Sequence, residues 1–193
     1  MRSRPQAIRL LVLDVDGVLT DGRLYYGADG EKLKVFDVQD GYGIKALRAA
    51  GIEVAVITGR RSAALRHRCR ELGLKHVLQG VEDKRSAFER LIGRLGVSAE
   101  SCAAIGDDAP DVPLMRAVGL AYAVRNAHSV ARRVAHRITR LAGGRGAVRE
   151  VCDELLRARG GAAPSRRGGP AADGAVSPRH GAPGRARRAG ARR

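Results

Sequence analysis

Two groups of acidic residues in the sequence have the spacing of metal-binding carboxylates. Asp14 and Asp16 follow one aliphatic run with a single residue between them, and Asp107, Asp108 and Asp111 follow another. A helix cap would account for one acid of the second group but not for three. Mg²⁺ prefers oxygen ligands and is usually held by one or two carboxylates together with a substrate phosphate. The two groups therefore predict a site for a hard divalent cation.

Side chains that could bind an anion lie between the two acidic groups. Thr58, Gly59 and Arg60 follow a β-branched run and supply a hydroxyl, a closely approachable backbone and a guanidinium suited to phosphate or carboxylate. Lys84 begins a predicted helix, whose N-terminus also favours anions. Taken alone, Thr58 fits a structural role and Lys84 a solvated one. Because each group follows a successive predicted strand, together they predict an anion site beside the cation.

The elements that must position these residues alternate between short aliphatic runs and helical patterns. The predicted strands are Ile8–Val15, Glu53–Thr58, His76–Leu78, Cys102–Ile105 and Leu120–Val124. The predicted helices are Gly43–Ala50, Ser62–Leu72, Lys84–Leu95, Val112–Ala117, His128–Ala135 and Ala147–Arg159. This alternation predicts an α/β fold, a Rossmann-like three-layer arrangement with helices on both faces of a parallel sheet. Ligands of such sheets bind beyond the carboxyl ends of the strands, where the chemical groups fall.

One stretch, Gly22–Val38, interrupts the alternation. Its apolar and aromatic positions flank a turn signal at Gly27–Gly30, which predicts a β-hairpin flap at about residues 20–38. The hairpin alone separates the first predicted strand from the first predicted helix. We therefore expect no cap domain and an open site.

Length and charge indicate one domain with a tail. The chain has 193 residues and a formal net charge of +16, and eight Arg against one Asp place +7 of it after residue 160. Residues 161–193 are rich in Gly, Pro, Ala and Arg, a composition typical of disorder. We expect a domain at residues 1–160 and a disordered basic tail at 161–193.

The cysteines and the N-terminal segment bear on location. Cys69, Cys102 and Cys152 are widely spaced, odd in number and without a C-x-x-C pair, which favours reduced thiols in the cytoplasm. The first apolar run is interrupted by Asp14 and Asp16, so it predicts neither a signal peptide nor a membrane span. No membrane partner is expected.

Taken in order, the motifs resemble those of a known superfamily. DVDGV at Asp14, ITGR at Thr58, then Lys84 and GDDAPD at Asp107 resemble the haloacid dehalogenase superfamily of phosphohydrolases across residues 8–158. The flap followed by DGYG, the segment Arg60–Arg68 and the run GGRGAVRE are similar to the 3-deoxy-D-manno-octulosonate 8-phosphate (KDO 8-phosphate) phosphatases. The resemblance implies a capless Mg²⁺-dependent phosphatase that acts on a small phosphorylated sugar acid in lipopolysaccharide precursor synthesis.

The resemblance also implies catalytic roles. Asp14 would be the nucleophile that forms a phospho-aspartate. Asp16 would protonate the leaving alkoxide and later activate the hydrolytic water. Thr58 and Lys84 would hold the oxygens of the transferred phosphoryl group.

The metal ligands follow from the same resemblance. Mg²⁺ would be bound by Asp14, by the backbone carbonyl of Asp16 and by Asp107. Asp108 and Asp111 would lie behind these ligands and orient the water ligands of the metal and Lys84.

The sugar-acid end of the substrate needs cations of its own. The predicted substrate-binding residues are Asp37, Val38, Gln39, Asp40, Gly41, Lys45, Gly59, Arg60, Arg68, Lys84 and Arg145. Arg68 also fits a surface role, since it would have to reach back along its helix. Gln39 departs from the family pattern, in which we expect Arg, so substrate preference is less firmly indicated than the chemistry.

The family resemblance further implies a homotetramer, in which a neighbour covers the open site and the flap packs against it. Arg145 could then be delivered to the adjacent active site. The alternative is that Gly143–Gly146 only ends a strand and begins the last helix.

Three other functions are considered. A phosphatase for another keto-sugar acid, of the sialic-acid type, would use the same chemistry, and a substrate panel separates the two. A non-catalytic domain for assembly is disfavoured because Asp14, Asp16, Thr58, Lys84 and Asp107 are all present. Specific nucleic-acid binding by the tail is poorly supported, since the tail lacks aromatics for base stacking. Truncation after residue 160 would abolish such binding but spare an enzyme.

Overall fold

The computed structural model describes residues 7–160. The strands are β1 Leu10–Leu13, β2 Tyr25–Gly27, β3 Gly30–Leu33, β4 Glu53–Thr58, β5 His76–Gln79, β6 Cys102–Gly106, β7 Leu120–Ala123 and β8 Arg137–Ile138. The helices are α1 Val38–Ala49, α2 Ala63–Glu71, α3 Lys84–Leu95, α4 Val112–Ala117, α5 Ser129–Val134 and α6 Ala147–Ala158. The predicted disordered tail lies outside the described residues.

Six strands form one parallel sheet in the order β5-β4-β1-β6-β7-β8. All residues of β1, β6 and β7 are buried, because helices cover both faces of the sheet. Aliphatic side chains fill this core, with Phe88 and Tyr122 its largest fully buried members. The predicted α/β parallel fold is confirmed. The chain crosses from one side of β1 to the other between β5 and β6, so the strand order reverses beside β1, where such folds bind ligands.

Helix α6 shows how the helices attach. Val148, Val151, Cys152 and Leu155 are buried at helical spacing and form one apolar stripe. This stripe lies on a helix that packs against α1. Gly43 of α1 allows the close approach, because a Cβ at that position would touch Arg149 and Cys152 at 2.9–3.2 Å.

The predicted flap is confirmed as the antiparallel β2–β3 hairpin, whose turn uses Gly30 at a positive φ of 102°. It is the only pair of strands between β1 and α1, so no cap domain lies there. Its apolar side chains, including Tyr26, Leu33 and Val35, are exposed.

Two element predictions are wrong. Helix α1 begins at Val38 rather than at Gly43, because Asp37 caps it by accepting a hydrogen bond from the Gln39 backbone N–H at 2.7 Å. Residues 37–41, which precede the predicted helix, are therefore its cap and first turn. Strand β8, at the sheet edge, was not predicted.

Cys69, Cys102 and Cys152 are buried free thiols. No helix among residues 7–160 is long and apolar enough to cross a membrane.

Candidate active site

The carboxyl end of β1 carries the first acidic group. Asp14 directly follows the strand and is 8% exposed, with its backbone N–H bonded to the Ile105 carbonyl at 3.2 Å. Gly17 then turns the chain at a φ of 95°, and a Cβ at this position would overlap the Asp107 carboxylate. A residue without a side chain is therefore needed where the two acidic loops meet.

Lys84 joins the two acidic groups. Its ammonium Nζ lies 2.7 Å from Asp14 Oδ1 and 2.6 Å from Asp111 Oδ1, and its side chain is only 5% exposed. The solvated role considered for Lys84 is thus wrong. Burial acts against the ammonium charge, but Asp14 and Asp111 outweigh it and raise the pKa of Lys84. Lys84 is a permanent cation at the base of the site.

One cation does not balance the three acids. Oxygens of Asp14, Asp107 and Asp111 all lie within 4.8 Å of one another. Burial, followed by repulsion from Asp111, raises the pKa of Asp14 to about 6 despite Lys84. Burial and repulsion from Asp14 and Asp111 raise the pKa of Asp107 to about 8. The cluster thus lacks positive charge, as expected of a site built to take a dication.

Asp111 already has partners for both of its oxygens. Its Oδ1 binds Lys84, and its Oδ2 accepts hydrogen bonds from the backbone N–H groups of Asp107 at 2.9 Å and Asp108 at 3.2 Å. Asp14 and Asp107 are consequently the carboxylates free to bind a metal, with Asp111 holding Lys84 and the loop behind them. This donor set fits Mg²⁺, which takes one or two carboxylates.

Asp108 has a different position from that predicted. Its side chain is more than half exposed, and Oδ1 accepts a hydrogen bond from the Ala109 backbone N–H at 2.6 Å, which caps a short 3₁₀ turn. The helix-capping role considered for one acid of this group therefore belongs to Asp108, together with Asp111 in a capping box.

Residues at the end of β4 adjoin those of β1. Leu13 of β1 pairs with Val56 of β4, which places Thr58 two residues beyond the pair at the site edge. Thr58 is 2% exposed, and its Oγ1 accepts a long hydrogen bond, 3.4 Å, from the Arg60 backbone N–H. Arg60 Nε is buried without a hydrogen-bond partner and lies 3.8 Å from Asp16 Oδ2. Gly59, between them, is exposed.

The flap contributes residues that the sequence did not indicate. Lys34, just after β3, forms an ion pair with Asp16 Oδ1 and lies 3.2 Å from Glu31 Oε2. Glu31 in turn binds the Arg60 guanidinium at 3.0 Å, as does the Tyr26 hydroxyl at 2.8 Å. No local pattern indicated that Lys34 is buried, because the positions of β3 before it run from half-buried to exposed without alternation.

The predicted substrate residues on α1 fall into two sets. Asp40 and Gly41 are buried, and Asp40 Oδ1 accepts the Arg149 backbone N–H of α6 at 2.7 Å. Burial raises the pKa of Asp40 to about 6. Val38, Gln39 and Lys45 are instead exposed.

Arg68 does reach back along α2. It contacts the Asp37 carbonyl at 3.4 Å and lies directly over Gly41, while also pairing with Glu71 at 2.9 Å. Its side chain is 17% exposed, so it occupies the junction of α1 and α2 rather than open surface.

The Gly-rich segment before α6 packs on the β1 loop of the same chain. Gly144 N–H bonds to the Val18 carbonyl at 2.9 Å, and a Cβ at Gly143 would overlap the Gly17 backbone. Gly146 precedes α6 at a positive φ of 90°. Arg145 is exposed and lies 3.8 Å from Asp21.

Comparison with known proteins places this geometry. The family model of haloacid dehalogenase-like hydrolases matches residues 42–119. The 3-deoxy-D-manno-octulosonate 8-phosphate phosphatase of Escherichia coli K12 is 51% identical over 158 residues, which are 82% of this chain and 84% of the relative.

Two solved structures are similar over most of the chain. The 3-deoxy-D-manno-octulosonate 8-phosphate phosphatase of Yersinia pestis has a TM-score of 0.79 at 50% identity, covering 81% of this chain and 84% of its own. The enzyme of the same name from Moraxella catarrhalis, in complex with magnesium, phosphate and KDO, also has a TM-score of 0.79. It is 44% identical and covers 81% and 90% of the two chains.

Proposed function

The chain belongs to the 3-deoxy-D-manno-octulosonate 8-phosphate phosphatases, within the haloacid dehalogenase-like hydrolases, and from this membership we propose that it hydrolyses KDO 8-phosphate to KDO and phosphate. It is a phosphoric monoester hydrolase with a metal-dependent site. The single observation that carries the proposal is the buried Asp14–Lys84–Asp111 ion-pair chain with Asp107 beside it. This arrangement can accept a dication and a phosphoryl group together.

Asp14 is the proposed nucleophile. Lys84 holds its Oδ1 at 2.7 Å, which orients the carboxylate toward the crevice. A carboxylate oxygen attacks phosphorus, the bond to the sugar oxygen breaks, and the phosphoryl group is carried on Asp14 as an acyl phosphate. Asp16 gives its proton to the departing alkoxide and takes one from the water that then attacks phosphorus and frees Asp14.

Thr58 and Lys84 are proposed to bind the phosphoryl oxygens as the charge shifts. Asp14, the Asp16 carbonyl and Asp107 would hold Mg²⁺, and Asp111 would keep Lys84 and the loop in place. The ion supplies charge neutralisation for the phosphoryl group, which is the main requirement of phosphoryl transfer. Mg²⁺ is the proposed ion because the donors are hard carboxylate oxygens.

Arg60 is the best-supported ligand for the sugar-acid end. Its buried Nε has no hydrogen-bond partner within the described residues and lies 3.8 Å from Asp16 Oδ2. Gln39, Gly146 and Arg68 lie around the N-terminus of α1 and could line the far end of the pocket. The exposed Lys45 is proposed to act there, and the exposed Arg145 is proposed to reach the active site of a neighbouring subunit.

A substrate panel tests the proposal. Phosphate release would be measured with Mg²⁺ and with EDTA for KDO 8-phosphate, a sialic-acid-type 9-phosphate and glucose 6-phosphate. The proposal expects the highest kcat/KM for KDO 8-phosphate and no turnover in EDTA. A preference for the nine-carbon acid would select the second candidate, which uses the same chemistry.

We further propose a homotetramer built through the flap. Leu24, Tyr25, Leu33 and Val35 expose apolar surface on one hairpin, which is the mark of an interaction surface. Leu33→Glu should shift the assembled species to monomer in light scattering, whereas Lys32→Glu, on the polar side, should not. An unchanged mass for Leu33→Glu would refute the flap as the interface.

We also propose a cellular location for the enzyme and a boundary for its catalytic domain. Three buried free thiols support a cytoplasmic enzyme. Residues 1–160 are proposed as the catalytic domain and 161–193 as a dispensable tail, so truncation after residue 160 should leave kcat/KM unchanged.

A further inference from the structure

A buried lysine of the flap contacts Asp16. Lys34 has a side chain only 3% exposed, and its ammonium pairs with Asp16 Oδ1. Lysines are almost never buried to this degree unless they are paired. Asp16 precedes the hairpin and Lys34 follows it, so the contact ties the base of the flap to the loop after β1.

Glu31 fixes the position of Lys34. Its Oε2 lies 3.2 Å from Lys34 Nζ and 3.0 Å from the Arg60 guanidinium. Burial acts against its ionised form, yet hydrogen bonds from Ser62, Arg60 and Lys34 hold the pKa of Glu31 below its usual value. An ionised Glu31 thus ties the flap to the end of β4 and keeps Lys34 directed at Asp16.

The two oxygens of Asp16 consequently differ. Oδ1 is engaged by Lys34, whereas Oδ2 lies 3.8 Å from Arg60 Nε, beyond hydrogen-bond distance. Arg60 Nε has no hydrogen-bond partner among the described residues. Asp16 therefore has one oxygen anchored by the Lys34 ammonium and one that lies outside hydrogen-bond distance of Arg60 Nε.

We propose that Lys34 is a positioning residue that acts through Asp16, anchoring one carboxylate oxygen so that the other meets the leaving group of the phosphate ester. The inference rests on the proposed function, in which Asp16 exchanges that proton. Proton transfer depends steeply on the placement of the acid, so a carboxylate without its anchor loses part of its effect. The flap then serves the chemistry as well as the subunit interface.

Two aryl esters of nearly equal size test the role of Lys34. Phenolate needs a proton as it leaves, whereas p-nitrophenolate leaves readily without one. Because kcat/KM covers only the steps through cleavage of the ester bond, it excludes the later hydrolysis of the acyl phosphate. In Lys34→Met we expect kcat/KM to fall about 10- to 100-fold for phenyl phosphate and less than about threefold for p-nitrophenyl phosphate.

The controls separate positioning from a general structural effect. Lys32→Met removes a neighbouring, exposed lysine on β3, which pairs with Asp29, and should change kcat/KM for neither ester. Lys34→Arg keeps the charge and should recover part of the loss for phenyl phosphate. In an Asp16→Asn background, Lys34→Met should cost less than about threefold more, because the anchored group is gone. Equal losses for the two esters, or full additivity with Asp16→Asn, would overturn the inference.

Glu31→Gln gives a second variant that leaves Lys34 in place. It weakens the ion pair that holds Lys34 in place. It should therefore lower kcat/KM for phenyl phosphate more than for p-nitrophenyl phosphate, by a smaller factor than Lys34→Met does. An equal loss of kcat/KM for both esters would count against the inference. If Lys34→Met does not fold, Lys34→Arg and Glu31→Gln decide. A wild-type enzyme that cleaves both aryl phosphates but not KDO 8-phosphate would refute the proposed substrate. The comparison of the two aryl phosphates would still test the role of Lys34.

Discussion

Replacing Asp107 by Asn should stabilise the metal-free protein and abolish its response to Mg²⁺. Asp107 is one of three clustered acids, of which Asp14 and Asp111 share Lys84 as a counter-ion. Its pKa is raised from 3.8 to about 8 by burial and by repulsion from Asp14 and Asp111. The folded state therefore binds a proton that the unfolded state releases above about pH 4. Stability must fall as the pH rises from about 4 to about 8, and Asn, which is neutral, removes that fall.

The size of the effect follows from the shift. At pH 7.5 the folded protein keeps this proton although the unfolded chain has released it. At 1.36 kcal/mol per pKa unit, this lowers the free energy of unfolding by about 5 kcal/mol. Asp107 is partly exposed, and solvent screening reduces the cost to about 2 kcal/mol. A gain of that size corresponds to a rise in Tm of about 4–8 °C for a domain of this length. Mg²⁺ at a hundredfold excess over its Kd would stabilise the wild type by about 2.7 kcal/mol.

Thermal melting at pH 5 and pH 7.5, in EDTA and in Mg²⁺, measures both effects. In EDTA the Asn variant should melt above the wild type, with a larger gap at pH 7.5. In Mg²⁺ the wild type should gain stability and the variant should not. The reasoning is refuted if Asp107→Asn melts below the wild type in EDTA at pH 7.5, or if Mg²⁺ raises both equally.

Three further predictions concern single positions. Lys84→Met leaves two buried carboxylates without their cation and should destabilise the protein by about 3–5 kcal/mol in urea titration; a loss below about 1 kcal/mol would contradict its buried pairing. Gly17→Ala adds a Cβ where the Asp107 carboxylate lies, at a residue with a positive φ. It should weaken Mg²⁺ binding, measured by calorimetry, at least tenfold, which is about 1.4 kcal/mol. Unchanged Mg²⁺ binding would disprove the contact between Gly17 and Asp107. Asp40 has a pKa of about 6, so its contribution to wild-type stability falls between about pH 4 and 6, and Asp40→Asn should flatten the curve of unfolding free energy in that range. An unaltered curve would show that Asp40 is not buried as a carboxyl group.

The strand ends were the predictable part of the site. Asp14, Thr58, Lys84 and Asp107 each follow a strand whose aliphatic run is visible in the sequence, and parallel strands bring their carboxyl ends to one edge. Their positions in the sequence therefore predicted that these four residues lie close together.

Contacts between elements were not predictable in the same way. Helix α1 was predicted to begin too late, at Gly43, because Gly41 disfavours a helix. Both glycines are nevertheless needed for packing, Gly41 against Arg68 and Gly43 against α6. The role of Lys34 depends on its contact with Asp16, 18 residues away in the sequence, and no local sequence pattern indicates that contact. Asp40 similarly shows its burial only once α6 is docked.

The central claim is that the phosphoryl group passes through Asp14. Acid quench of the enzyme during steady-state turnover with Mg²⁺ and phosphate ester, followed by borohydride reduction and peptide mass spectrometry, locates an acyl phosphate directly. We predict homoserine at position 14, and neither label nor turnover in Asp14→Asn, which should keep the wild-type fold by circular dichroism. Label on any other residue, or substantial phosphatase activity in Asp14→Asn, would contradict the claim.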